Sequence, residues 1–218
     1  MSTVSFPGIP CIYPISSSPY ADQTGHFPLI RKFLEGGARL VQVREKRLPD
    51  DLLLQSLRPI VSECHRLGAR LILNDRPRIA LAAGADGVHL GQTDTSPDEA
   101  RQLLGKGALI GLSTHNRRQF EEACRRESVD YVSVGPIFPT SGKENPDPVV
   151  GLEGLRRLAR NSLLPVVAIG GIHLDRALET WAAGAHSLAL ISDICGSSRP
   201  AAQVQRYLKL WEKQDECP

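Results

Sequence analysis

Residues 83–88 (AGADGV) set the pattern that predicts the fold, because the same design recurs at residues 36–41 (GGARLV) and 183–188 (AGAHSL). In each copy, glycine follows an amphipathic stretch and precedes a short apolar run. Glycine is favoured just past the C-terminus of a helix because it adopts left-handed backbone conformations without steric cost. Each copy therefore predicts a corner where a helix ends and a strand begins.

Short aliphatic runs alternate with longer amphipathic stretches along the whole chain, and eight such pairs can be counted. This alternation predicts parallel strands connected by helices. Ser96, followed by proline and two acidic residues, predicts the start of one helix, which should end near Gly105. Nothing resembles a linker, so we expect an α/β fold with one domain, residues 1–218: a single (β/α)8 TIM barrel with frayed ends and its active site at the C-terminal ends of the strands. The predicted strands are Cys11–Ile15, Arg39–Val43, Arg70–Leu73, Gly87–His89, Leu109–Leu112, Tyr131–Val134, Val166–Ile169 and Ser187–Leu190.

Composition narrows the class of protein. The chain has 218 residues, of which 41% are hydrophobic and 23% charged, as in soluble globular proteins. Its 26 basic and 24 acidic residues are scattered, so we expect no nucleic-acid partner. The N-terminus does not resemble a signal peptide, no apolar run reaches the roughly 20 residues of a membrane span, and the five cysteines lack any C-x-x-C pair. These features predict a cytoplasmic protein with reduced thiols, and they leave open whether it forms a homo-oligomer.

Polar residues follow the second predicted strand at Gln42, Val43, Arg44, Glu45 and Lys46. Because side chains alternate along a strand, Gln42, Arg44 and Lys46 should share the inward face. Glu45 should point away and fix a neighbouring helix or an arginine. One amide and two cations are therefore expected to converge inside the barrel.

Two carboxylates follow the next two strands, Asp75 directly after Asn74, and Asp94 five residues beyond His89. Magnesium is commonly held by one or two carboxylates, with water and phosphate oxygens completing its shell. Either aspartate could instead cap the helix that follows it. Together with the inward cations, the pair favours one Mg²⁺ in each active site.

Hydroxyl and glycine residues follow the remaining strands. Ser113 and the run from Gly135 to Lys143 offer donors for phosphate oxygens, and Lys143 adds a third cation. Residues 169–172 (IGGI) and Ser192 follow the seventh and eighth strands, between which barrel enzymes commonly bind phosphate. The residues thus predict two phosphate regions and small phosphorylated substrates. His89 and His115 are candidate general bases, although histidines near strand ends are more often structural.

These segments together resemble the thiamine phosphate synthase family, and the resemblance covers about residues 11–194. Any one of the motifs could occur by chance, but the ordered set is specific. The motifs are residues 42–46 (QVREK), 74–75 (ND), 87–94 (GVHLGQTD), 135–140 (GPIFPT), 169–172 (IGGI) and 191–192 (IS).

The resemblance implies a transferase of thiamine biosynthesis that joins 4-amino-2-methyl-5-hydroxymethylpyrimidine diphosphate to thiazole phosphate and releases diphosphate. Diphosphate would leave first, in a dissociative step assisted by Mg²⁺, and the thiazole nitrogen would attack a carbocation-like centre. Arg44, Lys46, Ser113 and Lys143 would be catalytic. The residues implied to hold the pyrimidine diphosphate are Gln42, Val43, Arg44, Glu45, Lys46, Asn74, Ser113 and Lys143, with Asp75 and Asp94 on the metal; those implied to hold the thiazole phosphate are Thr140, Ser141, Gly142, Gly171, Ile191 and Ser192.

The sequence departs from the family at Gly142, where a second threonine is usual, so one hydroxyl contact to the thiazole is missing. Two alternatives compete with the synthase: a thiazole tautomerase-like enzyme, which shares the barrel but needs no magnesium site, and a noncatalytic phosphate-binding barrel, which would explain Gly142. The complete set of cations and carboxylates favours the synthase. We also expect a lid among the long loops, at about Pro139 to Val149, because water must be kept from a carbocation.

Overall fold

The computed structural model describes residues 9–21, 25–140 and 147–213. Its strands are Ile12–Ser17 (β1), Leu40–Arg44 (β2), Arg70–Asn74 (β3), Gly87–Leu90 (β4), Leu109–Thr114 (β5), Tyr131–Val134 (β6), Val166–Ile169 (β7) and Ser187–Leu190 (β8). Its helices are Ser18–Ala21 (α1), His26–Glu35 (α2), Asp50–Arg66 (α3), Pro77–Ala83 (α4), Pro97–Leu104 (α5), Arg117–Cys124 (α6), Gly151–Ala159 (α7), Ala177–Ala182 (α8), Ser192–Cys195 (α9) and Pro200–Glu212 (α10), with a short 3₁₀ helix at Leu174–Arg176.

The strands form a closed parallel barrel in chain order. Each strand pairs with the next one, and β8 pairs with β1 through Ile12 opposite Leu188 and Pro14 opposite Leu190. Helices connect successive strands and cover the outside of the barrel. The predicted (β/α)8 fold is confirmed.

Several strands run further toward their C-terminal ends than the apolar pattern predicts. β1 continues through Ser16 and Ser17, which pair with Val43 and Arg44 of β2, and β5 continues to Thr114. Polar side chains do not end a strand when the neighbouring strand still offers backbone partners. The polar rim is therefore held by the same hydrogen-bond ladder as the apolar part of the barrel.

Glycine corners and one helix cap form as predicted. Gly37, Gly84 and Gly184 all have positive φ, and Gly84 ends α4 in the left-handed conformation. Ser96 begins α5 with a capping box: its hydroxyl accepts the Glu99 amide, while the Glu99 carboxylate accepts the Ser96 amide. The repeated glycine segments thus mark helix-to-strand corners.

The core has two layers, separated by the barrel wall. Residues such as Val41, Val43 and Leu73 point outward and pack against the helices. A smaller inner cluster fills the barrel; it consists of Ile9, Tyr13, Ile15, Leu40, Ile72, Tyr131, Val167 and Ala189. The barrel interior is therefore packed with side chains and is not an open channel.

Gly111 makes room for the largest of these inner residues. It lies opposite Tyr131 in the β5–β6 pair, and a side chain at Gly111 would overlap the Tyr131 phenol ring. The glycine therefore fixes where the tyrosine hydroxyl lies inside the barrel.

Four cysteines lie in the described ranges and all are free thiols: Cys11, Cys64, Cys124 and Cys195. Cys217 lies outside the described residues. Across the same ranges, no helix has the length and apolar character needed to cross a membrane.

Replacing Gly111 with alanine should lower the free energy of unfolding by about 1–3 kcal/mol, because an added methyl group overpacks the interior against Tyr131. Urea unfolding measures the change. Gly107→Ala is the matched control, since a methyl group there meets no atom within 4 Å and Gly107 does not have positive φ. Equal stability of the two variants would contradict the packing described for Tyr131.

Candidate active site

A cavity of about 440 Å³ opens at the C-terminal ends of the strands. Strand side chains form its floor and wall, and the loops that follow the strands form its mouth. Predicted site residues that line it are Gln42, Arg44, Lys46, Asn74, Asp75, His89, Asp94, Ser113, His115, Thr140 and Ile191.

Other predicted residues lie elsewhere. Val43 and Glu45 point to the opposite face of β2, as strand alternation predicts, so their side chains do not line the cavity. Gly171 lies in the loop after β7 and Ser192 is the first residue of α9, which follows β8; neither is part of the cavity lining. Ser141, Gly142 and Lys143, together with most of the predicted lid, lie outside the described residues.

Glu45 fixes the backbone that carries the two cations. Its carboxylate accepts hydrogen bonds from Ser18 Oγ at 2.9 Å, from His26 Nε2 at 3.0 Å, and from the amides of Arg47 at 2.6 Å and Leu48 at 3.2 Å. His26 is the first residue of α2, so the expectation that Glu45 fixes a neighbouring helix is confirmed.

Ser18 completes this arrangement. Its single hydroxyl proton lies between the Glu45 carboxylate, 2.9 Å from Oγ, and the Arg44 carbonyl, 3.2 Å from Oγ, and its oxygen accepts the Lys46 amide at 3.2 Å. The backbone on both sides of Glu45 is therefore held from behind while the side chains of Arg44 and Lys46 face the cavity.

Hydrogen bonding and burial set the charges of Glu45 and His26. Burial acts to raise the pKa of Glu45, but the bonds it accepts from Arg47, His26, Ser18 and Leu48 outweigh burial and lower the pKa to about 2. Burial lowers the pKa of His26, partly offset by Glu45. A neutral His26 therefore donates from Nε2 to Glu45 and accepts at Nδ1 from Ser16 Oγ, which lies 2.7 Å away.

Asp75 and Asp94 meet at one edge of the cavity. Burial and the contacting Asp75 carboxylate raise the pKa of Asp94, although the Gly91 amide, 2.7 Å from Asp94 Oδ2, and Lys46 act to lower it. Lys46 Nζ contacts Asp75 Oδ2. Two carboxylates and one ammonium group therefore share a small polar region.

Asp75 has a φ of 65°, and no other non-glycine residue in the described ranges has positive φ. Backbone held in this region by a non-glycine residue is concentrated at functional sites. Neither carboxylate caps the next helix, because α4 has no side-chain cap and Ser96 caps α5. The capping alternative is therefore wrong for both residues.

The two carboxylates could hold a divalent cation, because hard cations prefer carboxylate oxygens. Such a cation would offset burial and the neighbouring Asp75 carboxylate, which raise the pKa of Asp94. Within the part of the chain that the structure describes, no group of three or more His, Cys, Asp or Glu side chains could hold a metal. The pair would thus need oxygens from water or from a bound ligand.

The cavity floor is a chain of hydrogen bonds. Gln42 Nε2 donates to Tyr13 Oη at 2.8 Å, Tyr13 Oη lies 3.1 Å from Tyr131 Oη, and Tyr131 Oη lies 3.1 Å from His89 Nδ1. His89 Nε2 lies 2.9 Å from Ser113 Oγ. His89 and Tyr131 also stack, with ring centroids 5.5 Å apart.

His115 belongs to the wall. Its Nδ1 lies 2.7 Å from the Gly135 carbonyl, which can only accept, so Nδ1 carries a proton. Its Nε2 lies 3.5 Å from Asp147 Oδ2, so His115 connects the loop after β5 to the far end of the loop after β6.

The second of the two predicted phosphate regions lies after β7 and β8. Gly170 and Gly171 have positive φ, and their Cα positions pack against the backbone or side chains of residues 136–139, where a side chain would not fit. Asp193 of α9 contacts the loop after β7, since it accepts from His173 Nδ1 at 2.9 Å, and it also accepts from Tyr207 Oη at 2.6 Å. Burial acts to raise the pKa of Asp193, but these bonds and one from Gln203 lower it.

Sequence reasoning missed six polar residues of the cavity. Tyr13 and Ser133 could have been found, because alternation places Tyr13 inward with Ile15 and places Ser133 on the same face as Tyr131. The others lie in loops or on a helix, where no period gives their direction: Gln92, Thr93, Gln119 and Asp147. All six line the cavity.

Comparisons with known proteins agree on one family. Residues 12–194 match the family described as Thiamine monophosphate synthase. The chain is 42% identical to a thiamine-phosphate synthase of Myxococcus xanthus, over 84% of this chain and 83% of that protein, and 41% identical to one of Methanocella arvoryzae, over 84% and 86%. A solved thiamine phosphate pyrophosphorylase from Pyrococcus furiosus superposes with a TM-score of 0.85 at 30% identity, covering 93% of this chain and 96% of that one.

Replacing Glu45 with glutamine should lower the free energy of unfolding by about 2 kcal/mol at pH 7, because hydrogen bonds to a charged acceptor contribute about 1.5–3 kcal/mol and those to a neutral one less. The folded pKa of about 2 lies below the unfolded value, so the ionised carboxylate stabilises the fold above about pH 4.3, and this contribution is lost as the pH falls toward the folded pKa. The difference between the wild type and the variant should therefore shrink in acid.

Urea unfolding at pH 7 and near pH 3 measures both effects. Glu121→Gln is the control, because Glu121 forms an exposed pair with Arg117 and should change stability little at either pH. A Glu45→Gln protein as stable as the wild type at pH 7 would show that the carboxylate does not hold this segment.

Proposed function

The chain belongs to the thiamine-phosphate synthase family, and we propose that it joins 4-amino-2-methyl-5-hydroxymethylpyrimidine diphosphate to thiazole phosphate in the cavity at the barrel mouth. It is accordingly a transferase of thiamine biosynthesis. The substrates would bind side by side, with the pyrimidine diphosphate toward β2–β5 and the thiazole phosphate toward β6–β8.

The observation that carries this proposal is the meeting of cations and carboxylates at one edge of the cavity. Arg44, Lys46, Asp75 and Asp94 come from three neighbouring strands or their loops, and all four line the cavity. A diphosphate is a large flexible anion that needs several cationic partners, while the adjacent carboxylates would repel it unless a divalent cation lay between them. The combination is suited to a metal–diphosphate complex.

Magnesium is the cation we propose. Mg²⁺ commonly keeps several waters and binds through one or two carboxylates together with substrate phosphate oxygens, so Asp75 and Asp94 are sufficient ligands. When bound, it would neutralise charge on the departing diphosphate.

The side chains would act on the leaving group by charge and position. Arg44 donates to Ser17 Oγ at 3.3 Å, which leaves other guanidinium donors available to phosphate oxygens. Lys46 contacts Asp75 and would turn toward the diphosphate once a cation pairs with the carboxylates. Both groups would be closest to the negative charge as the bond between carbon and oxygen breaks, which lowers the barrier to departure.

The nitrogen of the thiazole ring carries a lone pair and needs no base to attack the carbocation-like centre. Asn74, Ser113 and the floor residues would hold the pyrimidine in place during this step. We infer that Lys143 assists the diphosphate from the loop after β6, and that Thr140, Ser141 and Gly142 contact the thiazole. Gly171, Ile191 and Ser192 would hold its phosphate through backbone amides and a hydroxyl.

The two alternatives raised by the sequence have weaker support. A tautomerase-like enzyme or a noncatalytic barrel gives no reason for the carboxylate pair beside Arg44 and Lys46. The relatives compared above are named as synthases.

Thiamine phosphate formation from the two substrates tests the proposal. The wild type should form product with Mg²⁺ and none with excess chelator, and Asp94→Ala should lower kcat about 10²–10³-fold, because charge on the leaving group is no longer offset. Asp98→Ala is the matched control: Asp98 pairs with Arg126 on the surface and does not line the cavity, so its activity should stay within about twofold.

Thermal unfolding gives a readout independent of turnover. Mg²⁺ should raise the Tm of the wild type and of Asp98→Ala in the presence of pyrimidine diphosphate, but not that of Asp94→Ala. Product formation that is unaffected by chelator would disprove the metal assignment, and a folded wild type that forms no product would disprove the proposed reaction.

A further inference from the structure

We propose that Tyr131 and His89 are positioning residues that fix the hydrogen-bond polarity of the cavity floor, so that Gln42 presents an acceptor and Ser113 a donor to an amino-substituted heteroaromatic ring. The proposal rests on the proposed function, because it assigns the part of the cavity that would read the pyrimidine. It concerns specificity for that ring.

Each member of the floor has a limited number of protons. Gln42 donates to Tyr13, so the amide nitrogen faces the floor and the carbonyl oxygen is the group left for the cavity. Burial raises the pKa of both Tyr13 and Tyr131, so each hydroxyl keeps one proton to donate.

The direction in which the floor hydrogen bonds run follows from giving each hydroxyl proton an acceptor. If Tyr13 donates to Tyr131 and Tyr131 donates to His89 Nδ1, every hydroxyl proton along the chain has an acceptor. In the opposite direction, the Tyr13 proton has no acceptor among the hydrogen bonds that join the described floor residues, since Tyr13 already accepts from Gln42. The first direction is therefore favoured.

His89 transmits this direction to the far wall. A neutral imidazole that accepts at Nδ1 carries its proton at Nε2, which is 2.9 Å from Ser113 Oγ. Ser113 therefore accepts from His89 and can direct its own proton into the cavity. Ser133 Oγ lies 3.3 Å from the same nitrogen and donates to Ser113 Oγ at 3.4 Å, so Ser113 accepts from both neighbours.

The two ends of the chain match an aminopyrimidine. Gln42 lies on β2 and Ser113 on β5, so they face the ring from different sides of the barrel. An acceptor on one side suits an exocyclic amino group, and a donor on the other suits an unprotonated ring nitrogen. A ring with a carbonyl in place of the amino group would set two acceptors against each other at Gln42.

Because the floor hydrogen bonds depend on one another, the side-chain amide of Gln42 is difficult to flip. A flip would bring the carbonyl oxygen against Tyr13, which could donate to it only if Tyr131 then donated to Tyr13 and the proton of His89 moved from Nε2 to Nδ1. Without the Tyr131 hydroxyl this restraint is lost, and Tyr13 is free to donate to a flipped Gln42. Tyr131 would thus act on specificity without touching the ligand; it does not line the cavity.

Dissociation constants measured by calorimetry test the proposal, without thiazole phosphate so that no reaction contributes. The ligands are the 4-aminopyrimidine diphosphate and its analogue with a carbonyl at the same position. The wild type should bind the amino compound at least about 100-fold more tightly, because a buried mismatch of hydrogen-bonding groups is strongly rejected. In Tyr131→Phe the ratio of the dissociation constant of the carbonyl analogue to that of the amino compound should fall about tenfold or more, mainly because the carbonyl analogue binds more tightly.

Tyr207→Phe is the matched control, because it also removes a buried tyrosine hydroxyl. Tyr207 lies on α10 and donates to Asp193 at 2.6 Å, and neither residue belongs to the cavity floor. It should leave the amino-to-carbonyl ratio unchanged. If Tyr131 had a purely structural role, Tyr131→Phe would bind both ligands more weakly by the same factor, and the ratio of the two dissociation constants would stay as in the wild type. That result would overturn the proposal.

Wild-type measurements keep the test decisive if Tyr131→Phe fails to fold. Equal binding of the two ligands by the wild type would refute the inference and leave the synthase reaction intact, whereas binding of neither would count against the cavity assignment itself. The ¹⁵N spectrum of His89 gives a further check. A proton on Nε2 is expected in the free protein, and a neutral ring with its proton on Nδ1 would reverse the chain and contradict the proposal.

Discussion

Closure of the barrel by pairing β8 with β1 is the constraint on which the other features depend. In a closed parallel sheet, every second side chain of every strand points into one shared interior. Residues far apart in sequence, such as Tyr13 and Tyr131, are thereby brought within hydrogen-bonding distance. The C-terminal ends of all eight strands also meet at one rim, which is where the charged residues converge.

The interior is divided between stability and binding. Apolar residues such as Leu40 and Ile72 pack inside the barrel together with Tyr13 and Tyr131, whose hydroxyls also belong to the hydrogen-bonded floor of the cavity. Because the floor consists of hydrogen-bonded groups, it can support the barrel and present fixed donors and acceptors to a ligand. Gly111 is part of this arrangement, since its lack of a side chain leaves space for Tyr131.

The cations at the rim depend on a buried anion that never faces the cavity. Arg44 and Lys46 lie on either side of Glu45, whose carboxylate is bound from behind by Ser18, His26 and two backbone amides. The motif therefore combines two roles in consecutive residues: the even-numbered side chains face the cavity, and the odd-numbered one holds the loop. An acid can thus lie between two cavity-facing cations without pairing with either of them.

Much of the fold could be predicted from the sequence, because apolar periodicity and glycine corners are local signals. The inward direction of Gln42, Arg44 and Lys46 also follows from alternation alone. Direct contact between Asp75 and Asp94 could not be predicted, because it depends on loop conformation and on a positive φ at a non-glycine residue. The floor network was not predicted either, since the partners of Tyr13 and His89 come from strands that only barrel closure makes neighbours.

Binding of the pyrimidine diphosphate at the carboxylate edge is the central claim, and a crystal structure with that substrate and Mn²⁺ in place of Mg²⁺ tests it most directly. We expect an anomalous peak bound by Asp75 and Asp94, diphosphate oxygens against Arg44, and the amino group of the ring toward Gln42. A substrate whose diphosphate lies between β7 and β8, with no metal at the two aspartates, would contradict this assignment.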